Sequence, residues 1–172
     1  WKPLVLYGFE PEGTGGFEYA GGTLTGLVQM TVIGEAWREP SAAGSAAALA
    51  FLAHELAHLW NGQLTTNGGE HSWTHEGSAD AIANRVLPEL GAEDEAAFLA
   101  REEAALNACR IRLGGRGVEG ANDPRVPYAC GQAMALWTEA AIGAADEDAD
   151  LFAFWRALIA AALADEGRYD AD

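Results

Sequence analysis

His54-Glu55-Leu56-Ala57-His58 is the stretch from which the rest of the chain is read. Residues four apart on a helix share one face, about one 5.4 Å turn apart, so both imidazoles can turn towards one ion. Glu55 follows the first histidine and points to the neighbouring side of the helix. From there it can hold a metal-bound water without taking a coordination position. Two nitrogen ligands beside a non-ligand carboxylate suit zinc-assisted peptide hydrolysis. The plainer alternative is a pair of hydrogen-bonded core histidines, and five residues alone do not separate the two. A hydrolytic zinc needs a third protein ligand, so the downstream sequence has to supply one.

Pro40-Ser41 marks the start of the histidine helix, which is expected to run to about Trp60, with Gly62 as terminator. A polar connection follows over 61–73, and a second helix is expected over 74–87, ended or kinked by Pro88. Its opening reads Trp73-Thr74-His75-Glu76-Gly77-Ser78-Ala79-Asp80. Glu76 is the candidate third ligand. Seventeen residues separate it from His58, enough to leave one helix, turn and enter an antiparallel partner. Asp80 lies four residues later on the same face, where a carboxylate can accept the free ring N–H of a metal histidine. Read alone, the stretch is a helix with an acidic first turn. His75 and His71 are rival ligands; His75 neighbours Glu76 and is expected to point away from it.

Upstream, residues 3–9 read as a strand and 17–20 as a short strand broken by Gly21-Gly22. Residues 23–34 read as a longer strand, in which Gly26 suggests a bulge or a close backbone approach. Such a strand beside the histidine helix can receive an extended peptide by edge pairing; the plainer reading is an ordinary edge strand. Helices are expected over 92–113, 127–143 and 148–165, with a glycine-rich loop over 114–122. Strands first and helices after indicate an α+β fold, mainly helical with a small N-terminal β-sheet, in a single unit spanning 1–172.

Composition narrows the function classes. With 172 residues, nearly half of them apolar, the chain suits one globular core. A formal charge of -16 argues against nucleic-acid partners, whose phosphates would be repelled. No apolar run is long enough for a membrane span. The opening Trp1-Lys2-Pro3, without methionine or a signal-peptide pattern, reads as part of a longer or processed protein. Cys109 and Cys130 are either a disulfide, which would indicate an exported or periplasmic protein, or two buried thiols.

The run His-Glu-Leu-Ala-His-Leu-Trp-Asn-Gly from His54, then Trp-x-x-Glu-Gly-x-Ala-Asp from Trp73, resembles the gluzincin metallopeptidases. It is most similar to the aminopeptidase N family and the related glycyl aminopeptidases; the Glu-x-x-x-Asp step also resembles thermolysin. The resemblance implies a zincin-type catalytic domain in which His54, His58 and Glu76 bind Zn2+ and Glu55 is the general base. It also implies that Asp80 orients His54. In aminopeptidase N relatives the third ligand comes one residue later than here. A metzincin pattern would need glycine at Asn61 and histidine at Leu64, and is excluded.

Val126-Pro127-Tyr128-Ala129-Cys130-Gly131 resembles the Tyr-x-x-Gly step of the same family, whose tyrosine donates to the oxyanion. Tyr128 is the matching residue, although relatives often carry lysine where Cys130 stands. A Pro-Tyr at a helix start is otherwise a packing feature. One departure concerns specificity. The family's amine-anchoring glutamate corresponds to Leu24, which cannot pair with an ammonium group. The expected function is therefore zinc-dependent hydrolysis of a peptide substrate, aminopeptidase-like but without that anchor. The alternatives are a non-catalytic zinc-containing peptide-binding module and a structural domain that binds no metal.

Overall fold

The computed structural model describes residues 3–13, 17–67, 72–118 and 121–169. The fold is α+β and mainly helical, as expected. Strands β1 (Leu4–Glu10), β2 (Glu18–Leu24) and β3 (Leu27–Ile33) form a sheet of order β1-β3-β2. β1 runs parallel to β3 and β2 antiparallel to it. A short 3-10 turn (Glu35–Arg38) leads to α1 (Ala42–Asn61). Beyond it lie β4 (Thr66–Asn67), α2 (Ser72–Glu89), α3 (Glu95–Leu113), α4 (Val126–Ala145), α5 (Leu151–Ala164) and β5 (Arg168–Tyr169). No helix of the described residues is long and apolar enough to cross a membrane.

The N-terminal boundaries differ from the sequence expectation. Gly21-Gly22 does not break a strand: both glycines pair inside β2, Gly21 with Met30 and Gly22 with Gln29. The physical reason is crowding. A Cβ at Gly21 would lie 2.1 Å from the Gln29 carbonyl oxygen and 3.0 Å from the Phe51 ring of α1. The expected strand over 23–34 is instead split by a turn at Thr25-Gly26, with Leu24 paired to Leu27. Gly26 adopts φ 72, a left-handed conformation open to glycine at no steric cost. The close backbone approach assigned to Gly26 thus belongs to Gly21.

The helices follow local signals. Ser41 caps α1 by accepting the Gly44 N–H at 3.1 Å, and Gly62 closes it by donating to the His58 carbonyl at 3.0 Å. Asp94 and Asp150 cap α3 and α5 in the same manner as Ser41. Pro88 sits in the last turn of α2, where it ends the helix rather than kinking it. Met30, Val32 and Trp37 pack with Ala48 and Phe51 to fasten the sheet to α1. A second core joins Ala57, Ala79, Ile82 and Ala135 to Leu151 and Trp155, so that α5 closes the helical layer. Cys109 and Cys130 form a disulfide between α3 and α4. Closing a loop of this size contributes roughly 3 kcal/mol.

The closest approach between helices is at α2 and α4. A Cβ added to Gly77 would lie 2.2 Å from Gly131 Cα, and one added to Gly131 would lie 1.9 Å from the Trp73 carbonyl oxygen. Those neighbours are backbone and cannot swing aside. Gly131→Ala is therefore expected to lower stability by about 2–3 kcal/mol through overpacking. Urea unfolding would measure it, and an unchanged midpoint at constant m-value would contradict the contact.

Candidate metal centre

Helix α1 carries the two histidines and α2 the carboxylate, and the structure brings all three together. His54 Nε2 lies 3.0 Å from His58 Nε2 and 3.2 Å from Glu76 Oε2. His58 Nε2 lies 3.4 Å from the same oxygen. A tetrahedral ion with bonds of roughly 2.0–2.1 Å separates its ligand atoms by about 3.3 Å. The three edges match that spacing, so this group can hold a metal ion.

Hydrogen bonds behind the histidines fix which nitrogens face inward. His54 Nδ1 donates to Asp80 Oδ1 at 2.8 Å. His58 Nδ1 lies 3.1 Å from Asn61 Oδ1, while Asn61 Nδ2 donates to the His75 carbonyl at 2.9 Å. That second bond orients the Asn61 amide, so its oxygen accepts from His58. With both Nδ1 atoms donating outward, the Nε2 lone pairs and a carboxylate oxygen converge on one point. Such a cluster of acceptors is repulsive unless a cation joins it, either a proton or a metal.

The electrostatics agree. Burial opposes charge on His54, but hydrogen bonds and the charges of Asp80 and Glu76 overcome it and raise its pKa from 6.5 to about 9. Burial likewise disfavours the Glu76 carboxylate, yet its bonds to His54 and His58 hold it well below the usual range. His75 is not in the ligand group. It stacks on His58 with ring centroids 4.0 Å apart, and burial followed by the charge of His58 lowers its pKa. His71 lies outside the described residues.

Glu55, buried on α1, lines the same cleft as His54, His58 and Glu76 but is not one of the ligand group. Thr23 Oγ1 lies 2.8 Å from Glu55 Oε2 and 2.6 Å from the Glu55 carbonyl oxygen, so its hydroxyl proton is shared between them. Tyr128, in the first turn of α4, lies alongside His54 with ring centroids 6.0 Å apart. Burial, then the charge of Glu76 and a hydrogen bond to it, pushes the Tyr128 phenol above its usual pKa, which keeps it a donor. Leu24 is 66% exposed at the end of β2 and puts no charge into the site.

A cleft of about 350 Å³ lies over the group, walled by Gly22, Thr23, Glu55 and Tyr128. A second cavity of about 820 Å³ shares His54, Glu55 and Tyr128 and extends along α4. Three residues escaped the sequence reading. Asn61 was within reach, three residues after His58 on the same helix. Thr23 and Gln63 were not. Gln63 holds the β2–β3 turn against the end of α1, accepting from Gly26 N at 3.1 Å and donating to the Leu24 carbonyl at 2.6 Å.

Known proteins resemble parts of the chain. No protein-family model matches it. Over 93 residues, 54% of this chain, it is 30% identical to Leucine aminopeptidase 2 of Candida albicans, covering 13% of that protein. Over 43 residues it is 44% identical to Leucine aminopeptidase 2 of Aspergillus niger, 24% of this chain and 7% of that protein. A 50-residue match to the Yarrowia lipolytica protein of the same name is 42% identical, covering 28% and 8%. The chain thus spans only 7 to 13% of the length of these curated relatives.

The shifted pKa values have a measurable consequence in chelator-treated protein. The stability that protonated His54 gains is fully present below pH 6.5 and is lost as pH rises through about 9. Glu76 contributes in the opposite sense: its share is present above pH 4.5 and is lost as pH falls through its depressed value. The melting temperature should therefore fall between about pH 7 and about pH 9.5, and Asp80→Asn should flatten that fall. A flat wild-type profile over this range would show that His54 does not carry the proton.

Proposed function

We propose that residues 1–172 form one gluzincin-type metallopeptidase unit that hydrolyses peptide bonds with Zn2+ held by His54, His58 and Glu76. The observation that carries this reading is the convergence of two fixed Nε2 lone pairs and one carboxylate oxygen at tetrahedral spacing. Two imidazoles and a carboxylate are a donor set suited to zinc, with one position left for water. The similarity to aminopeptidases over part of the chain supports the same chemistry.

Bound zinc would supply a water acidic enough to lose its proton near neutral pH. The protein's own groups do the rest. Glu55 takes the proton from the attacking water and passes it to the leaving amine, and the Thr23 hydroxyl holds the carboxylate in place. Tyr128 donates its phenolic proton in a hydrogen bond to the developing oxyanion. Asp80 and Asn61 hold the histidine rings in their ligating tautomers. β2 is an edge strand of the sheet and lines both cavities through Gly21, so an extended peptide can pair with it. The disulfide supports an exported protein, since such bonds persist in oxidising compartments.

Leu24 favours a second reading, a zinc-containing module that holds peptides without cutting them. Glu55 weighs against it, because a merely binding site gains nothing from a buried, oriented base. Glu55→Gln separates the two. It is expected to keep its zinc, measured by elemental analysis, while cleavage of a mixed peptide pool drops by roughly 10²–10⁴-fold. Unchanged cleavage would remove Glu55 from its role, and a wild type that binds peptides without cutting them would support the module. Tyr128→Phe is expected to lower kcat by about 10²-fold with little change in KM. A loss confined to KM would place the phenol in substrate binding instead.

A further inference from the structure

We infer that the larger cavity along α4 is a carboxylate-recognising pocket, with Arg125 as its anion-binding residue. Its placement relative to a scissile bond rests on the peptidase reading; the binding of the carboxylate does not.

Charge is the first ground. The chain carries 26 acidic side chains against ten lysines and arginines, yet Arg101, Arg112 and Arg125 all line this one cavity. Two of the three are occupied. Arg101 is held by Glu93 at 2.9 Å and Arg112 by Asp123 at 2.5 Å. Arg125 donates its backbone N–H to Asp123, at 2.9 Å, and its charge acts on that carboxylate, which Arg112 already holds; no ion pair joins its guanidinium to a carboxylate among the described residues. The carboxylates that line the cavity, Glu55 and Asp80, are already engaged by Thr23 and His54.

The wall itself is the second ground. Arg125, Tyr128, Ala129 and Gln132 follow the i, i+3, i+4, i+7 spacing of one helix face, and all four line the cavity. Gln132 is 6% exposed, and its Nε2 has no hydrogen-bond partner among the described residues. A guanidinium and a buried amide without a partner among the described residues lie along one face and call for an acceptor-rich ligand.

Length is the third ground. Arg125 precedes Tyr128 by nearly one turn, about 4.5 Å along the axis. An extended peptide advances about 3.3–3.6 Å per residue. With a scissile carbonyl at Tyr128, a carboxylate on the adjoining residue falls within reach of the guanidinium. That carboxylate is either an acidic side chain or the peptide's own C-terminus.

Three dipeptide probes separate the sources: Ala-Ala-NH2 (no carboxylate), Ala-Ala (C-terminal carboxylate) and Ala-Glu-NH2 (side-chain carboxylate). Their affinities are measured by calorimetry on zinc-loaded Glu55→Gln protein, then after chelation, which excludes a carboxylate bound to the metal. One of the two carboxylate probes is expected to bind about tenfold tighter than the probe without a carboxylate, as a charge-assisted pair in a partly solvated cleft provides. Arg125→Met should erase the preference and Arg125→Glu should reverse it. Equal affinities, no binding of any probe, or a preference that survives Arg125→Met would overturn the inference. Cleavage of the same probes by wild-type protein is followed in parallel. Cleavage without charge preference would overturn the pocket and leave the peptidase reading standing. Arg125-dependent binding without cleavage would support the pocket and count against that reading.

Discussion

Two glycines in backbone contact set the width of the site. Gly77 follows Glu76 in α2, and Gly131 stands one turn beyond Tyr128 in α4. With side chains at both positions the helices would have to move apart, and the tyrosine would move away from the carboxylate. The alanines around this contact act in the same direction. Ala57, Ala79 and Ala135 let α1, α2 and α4 approach closely, so short side chains in the core bring long ones together at the cleft. The disulfide then holds α3 against the far side of α4, at the residue next to Gly131. Packing, rather than any single strong bond, gives the centre its dimensions.

Within that frame the polar contacts form a chain with a direction. Each histidine donates its outer N–H in a hydrogen bond, to Asp80 or Asn61, which leaves the inward nitrogen with a lone pair in the neutral ring. Asn61 is held in turn by the His75 carbonyl, and the His75 ring lies flat against His58. His75 therefore works as a wall rather than as a ligand. Burial penalises every charge in the cluster, but the separations are short and the partners opposite in sign, so attraction wins for both His54 and Glu76. A proton and a divalent ion compete for the same point, which links metal affinity to pH through these atoms.

What could be read from the sequence followed distance along the chain. The pairing of His54 with His58, the Ser41 cap and the Pro88 stop are local, and helical geometry alone dictates them. The link from His58 to Glu76 needed only a count of residues sufficient for a turn. The contacts of Thr23 with Glu55 and of Gln63 with Leu24 span 32 and 39 residues and leave no local trace. Gly21-Gly22 misled for a related reason. Glycine weakens a strand in isolation, whereas here the neighbouring Gln29 carbonyl and Phe51 leave no room for a side chain. Whether the two cysteines met was equally a question of tertiary distance, open until their Cα atoms were placed 4.7 Å apart.

On the proposed reading, Leu24 and Arg125 would bear on substrate choice in the same sense. A carboxylate near the end of β2 would favour a free ammonium group; a leucine there is neutral and largely exposed. The acids that remain, Glu55, Glu76 and Asp80, are each tied to a threonine or a histidine, so none is free to hold an amine. Of the three arginines that line the cavity, Arg125 is the one whose guanidinium joins no ion pair among the described residues. A site with its acids engaged and an arginine on its wall would discriminate by the charge of a substrate in the sense opposite to an amine-anchored one. The net charge of -16 makes this sharper: anionic ligands gain nothing from the chain's overall field, so on the proposed reading their selection would depend on Arg125.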